Sequence, residues 1–130
     1  MPSKGTVMPA TTVADVVKNM DIHSTESSGP VETPIRADGE DHATHIANDT
    51  ECGLSRALPT GDIRSGVAAA KRIETGTARI DGPAVGDEAQ MPFGGVKTSG
   101  YGRFGGSAAI DEFSELRWIT VVDPKRRYPT

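Results

Sequence analysis

The feature that most constrains this chain is a glycine-rich stretch in its last third. Residues 93–106 contain six glycines in fourteen positions. Glycine is unfavourable inside helices and strands, because it loses more conformational freedom on folding than any other residue. The stretch is therefore predicted to be irregular, and regular structure is expected on either side of it.

Three patterns in and beside this stretch are similar to phosphate-binding loops. Residues 100–105 match G-x-G-x-x-G, but a dinucleotide site needs a buried strand before that motif, and residues 92–99 do not read as one. Residues 95–98 end like a P-loop without the spaced glycine before the lysine. Gly105-Gly106-Ser107 opens a predicted helix and is better explained as a helix cap than as an anion site. A small binding protein that holds a phosphate ligand between Phe93 and Gly106 is left open as an alternative.

Helical and extended patterns alternate along the chain. The clearest helix covers residues 61–74, where Ile63, Val67, Ala70 and Ile73 recur at helical spacing and Gly76 follows as a stop. Another helix is predicted to begin at an Asp38 cap and to end at Gly53. The remaining predictions are a helix over 108–115 capped by Ser107 and strands over 12–17, 31–36 (an edge strand, because of Pro34), 54–58, 77–80 and 116–122. This alternation predicts an α/β fold with some parallel pairing.

Composition limits the classes of function. The chain has 14 Lys plus Arg against 18 Asp plus Glu, a formal net charge of -4, which gives no reason to expect nucleic acid or an acidic membrane. The sequence contains neither a signal-peptide pattern nor an apolar run of about 18 residues, so a cytoplasmic protein is expected. Aromatic residues make up 5% and Gly plus Pro number 24. Few large side chains are thus available to anchor a core, which argues against a firm fold by itself.

The chemically reactive side chains do not form a complete catalytic set. Cys52 is the only cysteine, and it follows Asp49 and Glu51, whereas catalytic thiols need a nearby positive charge or a helix amino terminus. We interpret Cys52 as a packing residue. His42 and His45 are interpreted as part of a solvated polar face. No catalytic residue and no metal ligand is therefore predicted.

Four segments, in a fixed order, resemble the aldehyde dehydrogenase family. Residues 25–31 (TESSGPV) are similar to the family's E-S-F-G-P-V, and residues 46–55 (IANDTECGLS) to its A-N-D-T-x-Y-G-L-S. Residues 91–102 (MPFGGVKTSGYG) resemble P-F-G-G-x-K-x-S-G, and residues 113–121 (FSELRWITV) resemble the family's C-terminal strand. MPFGGVKTSGYGRFGG with ELRWIT resembles the vanillin, salicylaldehyde and benzaldehyde dehydrogenase branch.

The resemblance implies a C-terminal fragment of the catalytic domain together with its oligomerisation strand. The implied organisation is a loose segment over 1–11, a partial catalytic domain over 12–115, the oligomerisation strand over 116–122 and a tail over 123–130. The family oxidises aldehydes to acids with NAD or NADP through a cysteine thiolate and a glutamate. Neither those two residues nor the coenzyme domain has a counterpart in the matched region, so the chain is expected to be inactive alone. The alternative is a non-catalytic module that docks on an intact dehydrogenase subunit through its C-terminal strand.

Two site residues follow from the resemblance alone. Glu26 matches the glutamate that binds the nicotinamide ribose, where a carboxylate accepts from two hydroxyls. Phe93 matches a phenylalanine of the substrate tunnel. Cys52 matches a position that is usually tyrosine. The implied cofactor is NAD or NADP, and the implied partners are an aldehyde and a second or intact subunit, with no nucleic acid and no membrane. Five residues depart from the family pattern and hint at relaxed constraints: Ser28, Glu32, Pro34, Pro59 and Asp81.

Overall fold

Ten short elements follow one another in the computed structural model, which describes residues 5–127. In chain order they are β1 (Thr11–Thr12), α1 (Asp21–Ser24), β2 (Val31–Glu32), α2 (Glu40–Asn48), β3 (Cys52–Gly53), β4 (Ser55–Leu58), α3 (Ile63–Ala70), β5 (Thr77–Ile80), β6 (Val96–Lys97) and α4 (Gly106–Glu112). The mixture of helices and strands confirms the predicted α/β class.

The strands pair in twos. β1 with β2 and β4 with β5 are parallel, and β3 with β6 is antiparallel. β4, α3 and β5 form a βαβ unit, in which the helix connects two parallel strands that are paired from Ser55↔Thr77 to Leu58↔Ile80. Parallel strands need such a crossover, because a tight turn can join only antiparallel strands. The strand predicted over 77–80 is confirmed at both ends.

Helix α3 begins as a capped helix should. The Asp62 carboxylate accepts hydrogen bonds from the backbone N–H groups of Arg64 and Ser65 at 3.1 and 3.3 Å, which satisfies two otherwise unpaired donors. The buried face is centred on Gly66, where a Cβ would lie 2.9 Å from Ile80 Cγ2. The helix ends at Ala70, so the predicted stop at Gly76 was too late.

The predicted boundaries of α2 were wrong. Gly39, with φ of 87°, occupies the cap position and Asp38 makes no side-chain cap. The Asp38 backbone N–H instead donates to His42 Nδ1 at 3.0 Å. Gly53 does not end this helix, because α2 stops at Asn48 and Gly53 is a buried residue of β3. The positive φ of Gly39 is readily adopted by glycine, and Glu40 and Asp41 place negative charge in the first turn of the helix.

The predicted strands near the amino end are shorter than expected. Pairing between β1 and β2 involves two residues on each side, and Pro34 lies beyond the ladder. Glu32 is exposed and accepts from Thr12 Oγ1 at 2.8 Å, and Asp81 Oδ1 accepts from the Thr60 N–H at 2.7 Å. Neither carboxylate is therefore buried without a partner, so these two departures from the family pattern impose no strain of the expected kind.

The strand predicted over 116–122 does not form within the described residues, and its predicted role in oligomerisation stays a prediction. These residues pair with no strand within 5–127, and Leu116, Trp118 and Val121 are 105%, 90% and 93% exposed. A β-rich composition reports how a segment suits a sheet, but a strand forms only where a partner offers hydrogen bonds. The helix before it covers Gly106–Glu112 after a Gly105 cap, rather than residues 108–115 after Ser107.

The described residues form very little core. Among the described residues, Val16 is the one buried large apolar side chain, with 8% of its surface exposed, and Thr44 is the one buried polar side chain, with 7% exposed. The accessible surface is 10893 Å². A folded monomer of 13.7 kDa is expected to expose roughly 6,600 Å². The chain thus exposes far more surface than a typical folded monomer of its mass.

Two predicted segments extend beyond the residues that the structure describes. Residues 1–4 of the loose amino-terminal segment and residues 128–130 of the tail are outside the described range. The proposed boundaries at 12, 116 and 123 stay predictions. In the described range, no helix has the length and apolar character needed to cross a membrane.

Candidate functional site

Glu26 lines the wall of an open cleft. It lies in the loop between α1 and β2, and its side chain is exposed. The cleft has a volume of about 510 Å³ and is lined by Glu26, Cys52, Gly53, Leu54, Ser55, Arg56 and Ser99. No residue within 5–127 forms a hydrogen bond or an ion pair with the Glu26 carboxylate, so both of its oxygens are available to a ligand. A carboxylate in this state can accept from two neighbouring hydroxyl groups.

The far wall of this cleft is built by β3 and the glycine-rich stretch. Antiparallel pairing of β3 with β6 places Cys52 opposite Lys97 and Gly53 opposite Val96. Ser99 Oγ accepts from the Gly53 N–H at 2.8 Å, and Thr98 donates to the Glu51 carbonyl through both its N–H and its hydroxyl. These hydrogen bonds hold the stretch against β3. They also give partners to backbone groups that would otherwise lack them.

Lys97 ties the end of α2 to the same wall, and sequence reasoning missed it. Its Nζ donates to the carbonyl oxygens of Asn48 and Thr50 at 2.8 and 3.0 Å and pairs with Glu74 Oε2 at 2.7 Å. A cation suits the carboxyl end of a helix, where carbonyl groups lack partners. Lys97 adopts φ of 55°, in the left-handed region that is uncommon for residues other than glycine. Its place in the resemblance to P-F-G-G-x-K was the available signal.

Asn48 completes this junction. Its side chain accepts from the Glu74 N–H at 2.9 Å and donates to the Arg72 carbonyl at 2.8 Å. Arg56 reaches from β4 to the Ala47 carbonyl at 3.0 Å. Three segments that are far apart in sequence are thus joined at the end of α2, and this junction holds the cleft wall in place.

Phe93 lines a different cleft. Its backbone exchanges two 2.7 Å hydrogen bonds with Phe104 across the glycine-rich stretch, and the residue is half-buried. The cleft has a volume of about 380 Å³ and is lined by Gly76, Thr77, Ala78, Arg79, Asp87, Glu88, Met91, Pro92 and Phe93. Glu26 and Phe93 are therefore not brought together in one cavity of the described residues.

Backbone atoms of neighbouring residues occupy the space where side chains at these glycines would lie. A Cβ at Gly105 would overlap the carbonyl oxygen of Met91, and a Cβ at Gly94 would lie 2.5 Å from the carbonyl oxygen of Gly102. Arg103 Nη1 donates to the carbonyl oxygens of Gly95 and Gly102. Because carbonyl oxygens line these positions and the nearby guanidinium is already occupied, the arrangement does not favour a bound phosphate.

Cys52 and the histidines form no reactive cluster in the described part of the chain. Cys52 is half-buried, and its N–H donates to Thr50 Oγ1 at 3.2 Å. Among residues 5–127 there is no group of three or more His, Cys, Asp or Glu side chains placed to hold a metal ion. His42 lies 3.9 Å from an exposed Asp38 carboxylate. His42 and His45 are both exposed on α2.

The Asp49 carboxyl group has a lowered pKa. Lys18 Nζ donates a 2.6 Å hydrogen bond to Asp49 Oδ2, and this bond, together with the charge of the ammonium group, lowers the pKa of Asp49. Both groups are on the surface. The pair links the amino-terminal segment to the end of α2 and lies outside the two clefts.

Comparison with known proteins identifies the family. The family model described as "Aldehyde dehydrogenase family" matches residues 1–119. A vanillin dehydrogenase of Pseudomonas fluorescens is 46% identical over 126 residues, which are 97% of this chain and 26% of that protein. Salicylaldehyde and benzaldehyde dehydrogenases are also among the relatives. The chain thus spans about a quarter of the length of the curated relatives that it matches.

Solved structures agree with the sequence match. A salicylaldehyde dehydrogenase from Pseudomonas putida, crystallised with salicylaldehyde, superposes with a TM-score of 0.89 at 44% identity, covering 98% of this chain and 26% of that one. An aldehyde dehydrogenase of Mycobacterium tuberculosis, crystallised with NAD+, gives a TM-score of 0.71 at 37% identity and covers 80% of this chain and 21% of that one. The chain therefore belongs to the aldehyde dehydrogenase family, of whose fold it is a fragment.

Proposed function

We propose that this chain supplies part of the coenzyme and substrate walls of an aromatic-aldehyde dehydrogenase and is inactive by itself. The observation that carries the proposal is the match over 97% of the chain to a vanillin dehydrogenase of which it covers 26%. A cytoplasmic location, NAD or NADP as cofactor and assembly with further dehydrogenase polypeptide belong to the same proposal.

Inactivity follows from the chemistry that the family requires. Oxidation of an aldehyde needs a cysteine thiolate to attack the carbonyl carbon, after which hydride passes to NAD(P) and water cleaves the thioester. The chain has a single thiol, Cys52, on β3. Cys52 matches a family position that is usually tyrosine, so it does not inherit the role of the nucleophile.

The proposed contribution to coenzyme binding is the Glu26 carboxylate. It is exposed, has no hydrogen-bond or ion-pair partner in the described residues, and lines a cleft large enough for a sugar. Hydrogen bonds from two ribose hydroxyls to one carboxylate would orient the nicotinamide end of the coenzyme. Phe93 would supply an apolar wall for an aromatic ring, since its backbone is pinned to Phe104 and its side chain borders the second cleft.

The purified chain tests this proposal directly. We expect no aldehyde-dependent NADH or NADPH formation, followed by absorbance, with vanillin, salicylaldehyde or benzaldehyde. Turnover that disappears in a Cys52→Ser variant would sink the proposal, because it would show that the chain carries its own nucleophile. A Ser55→Ala variant, at a half-buried position of the same cleft, is the matched control.

A second candidate function is a non-catalytic module that docks on an intact dehydrogenase subunit. The observation in its favour is that Leu116–Val122 is apolar, exposed and unpaired within the described residues. Such a segment can add to the edge of another sheet through backbone hydrogen bonds. Co-purification with an intact subunit, lost with Ile119→Pro and kept with Ile119→Val, would support this role. Equal recovery of both variants would count against it.

A further inference from the structure

The sequence contains two Asp-Gly pairs, Asp38-Gly39 before α2 and Asp81-Gly82 after β5. An aspartate that precedes glycine can react with the backbone of its own chain, because glycine has no side chain to crowd the attacking nitrogen. The two pairs share this chemistry but differ in the contacts that surround them. The difference indicates which pair is open to modification in the folded chain.

The reacting groups of the first pair are free. The Asp38 side chain is fully exposed and makes no hydrogen bond within residues 5–127, and its ion pair with His42 Nδ1, at 3.9 Å, is too long for one. The Gly39 N–H has no acceptor in the same range, and nothing lies within 4 Å of a Cβ built on Gly39. The carboxyl carbon of Asp38 can therefore approach the Gly39 nitrogen without breaking a hydrogen bond.

The second pair is held on both sides of its aspartate. Asp81 Oδ1 accepts from the Thr60 N–H at 2.7 Å, and the Asp81 N–H donates to the Leu58 carbonyl at 3.1 Å. A hydrogen bond to a carboxylate is among the stronger ones in proteins. A Cβ at Gly82 would lie 3.8 Å from the Arg79 side chain, so this glycine is also less open. The Asp81 carboxylate must leave Thr60 before it can react.

We propose that Asp38 is a site of spontaneous isoaspartate formation in the folded chain and that the hydrogen bond to Thr60 protects Asp81. The inference depends only on these two turns and is independent of the proposed function.

The reaction needs only water. The Gly39 nitrogen attacks Cγ of the Asp38 carboxyl group and forms a new C–N bond, while the nitrogen loses its proton and an oxygen of the carboxyl group leaves as water. Water then adds to either carbonyl carbon of the resulting cyclic imide, and the C–N bond at that carbon breaks. Cleavage at Cγ restores aspartate. Cleavage at the α-carbonyl carbon gives isoaspartate, in which the main chain runs through Cβ and Cγ and the α-carboxylate is free.

The product changes the beginning of α2. Isoaspartate adds a methylene group to the main chain between the Asp38 Cα and Gly39. The Gly39 carbonyl accepts from the Ala43 N–H at 3.0 Å, and the Asp38 N–H donates to His42 Nδ1 at 3.0 Å. Both contacts depend on the normal spacing of residues 38 and 39, so the modification is expected to loosen the first turn of the helix.

The experiment incubates the purified full chain at neutral pH in water enriched in oxygen-18. Each passage through the cyclic imide places a heavy oxygen atom in the aspartyl residue. Digestion with trypsin in ordinary water gives peptides 37–56 and 80–97, which separate the two sites, and chromatography with fragment mass spectrometry locates the label and the isoaspartate. We expect isoaspartate to form at Asp38 at least about tenfold faster than at Asp81, since only Asp81 must first lose a hydrogen bond to a charged group.

Two controls test whether the folded contacts cause the difference. In guanidinium chloride the two sites should react at similar rates, because the hydrogen bond to Thr60 is lost. Asp38→Glu should abolish the product in peptide 37–56 and leave the rate at Asp81 unchanged, since a glutamate does not readily close the smaller ring. Equal rates at the two sites of the folded chain, or an absence of both heavy oxygen and isoaspartate at Asp38, overturn the inference. A difference that persists unchanged in guanidinium chloride overturns it as well, because neighbouring residues and not the fold would then set the rates.

Discussion

At the scale of single residues, the junction at the end of α2 depends on a few polar side chains that act through backbone groups. Lys97 donates to two carbonyl oxygens and pairs with one carboxylate. The Asn48 side chain bonds to the carbonyl of Arg72 and the N–H of Glu74, which follow α3. The partners lie 23 to 49 residues away in sequence. Pattern reading compares neighbours at short spacing, so these roles could not be predicted from the residues themselves.

Removal of the Lys97 ammonium group should destabilise the chain. Its side chain is 24% exposed, and Lys97→Met would leave carbonyl oxygens and Glu74 without their partner. We expect the free energy of unfolding to fall by about 2 kcal/mol, as for a lost hydrogen bond to a charged group. Urea denaturation followed by circular dichroism measures this change. Lys71→Met, at an exposed position, is the control, and an equal effect of both variants would contradict the assigned role.

Gly76 is expected to tolerate no side chain. A Cβ at this position would overlap the carbonyl oxygen of Gly94, so Gly76→Ala requires a backbone shift. Overpacking of this kind typically costs about 1–3 kcal/mol or more. Gly61→Ala is the matched control, because nothing lies within 4 Å of its Cβ. Thermal unfolding of both variants tests the contrast, and similar melting temperatures would show that the crossing at Gly76 is loose.

The Lys18–Asp49 pair predicts a pH dependence of defined sign. Because the folded-state pKa of Asp49 is lowered, the pair stabilises the fold above the ordinary value of 3.8, and this contribution is lost as the pH falls through the lower folded value. Lys18→Met should raise the pKa of Asp49, as read from carboxyl chemical shifts in an NMR titration. Lys125→Met should leave it unchanged. An unchanged pKa in the Lys18 variant would mean that the pair does not persist in solution.

At the scale of elements, α3 and α2 differ in how their first turns are closed. Asp62 accepts from two backbone N–H groups, whereas Asp38 makes no such cap and Gly39 takes the cap position. We expect Asp62→Ala to destabilise the chain by about 1 kcal/mol and Asp38→Ala to have a much smaller effect. Urea midpoints of the two variants provide the measurement. A larger effect at Asp38 would reverse the assignment.

Sequence patterns over a few residues predicted some strands correctly, but they could not predict whether a strand finds a partner. Residues 77–80 alternate in a way that fits a strand, and the strand has those bounds. Residues 116–122 have a still stronger strand composition, yet no strand within 5–127 pairs with them. Propensity describes one side of a ladder, while pairing needs two. Likewise, the resemblance indicated Glu26 and Phe93 but not that they line separate clefts, because the distance between clefts depends on packing.

At the scale of the whole molecule, the family and the fragment character were predictable from four motifs, because their order and spacing are specific. The low burial was indicated by the scarcity of aromatic side chains. The position of the open surfaces was not, since helical periodicity in Ile63, Val67 and Ala70 predicted a buried stripe. The structure instead buries Gly66 and leaves Ile63 and Val67 open.

The unpaired run after α4 has a consequence for the amount of this protein in a cell. Chaperones bind extended apolar segments and proteases cleave them, so a protein that exposes such a segment is treated as incompletely folded. Pairing of this run with a strand of another subunit would then be expected to lengthen the lifetime of the protein.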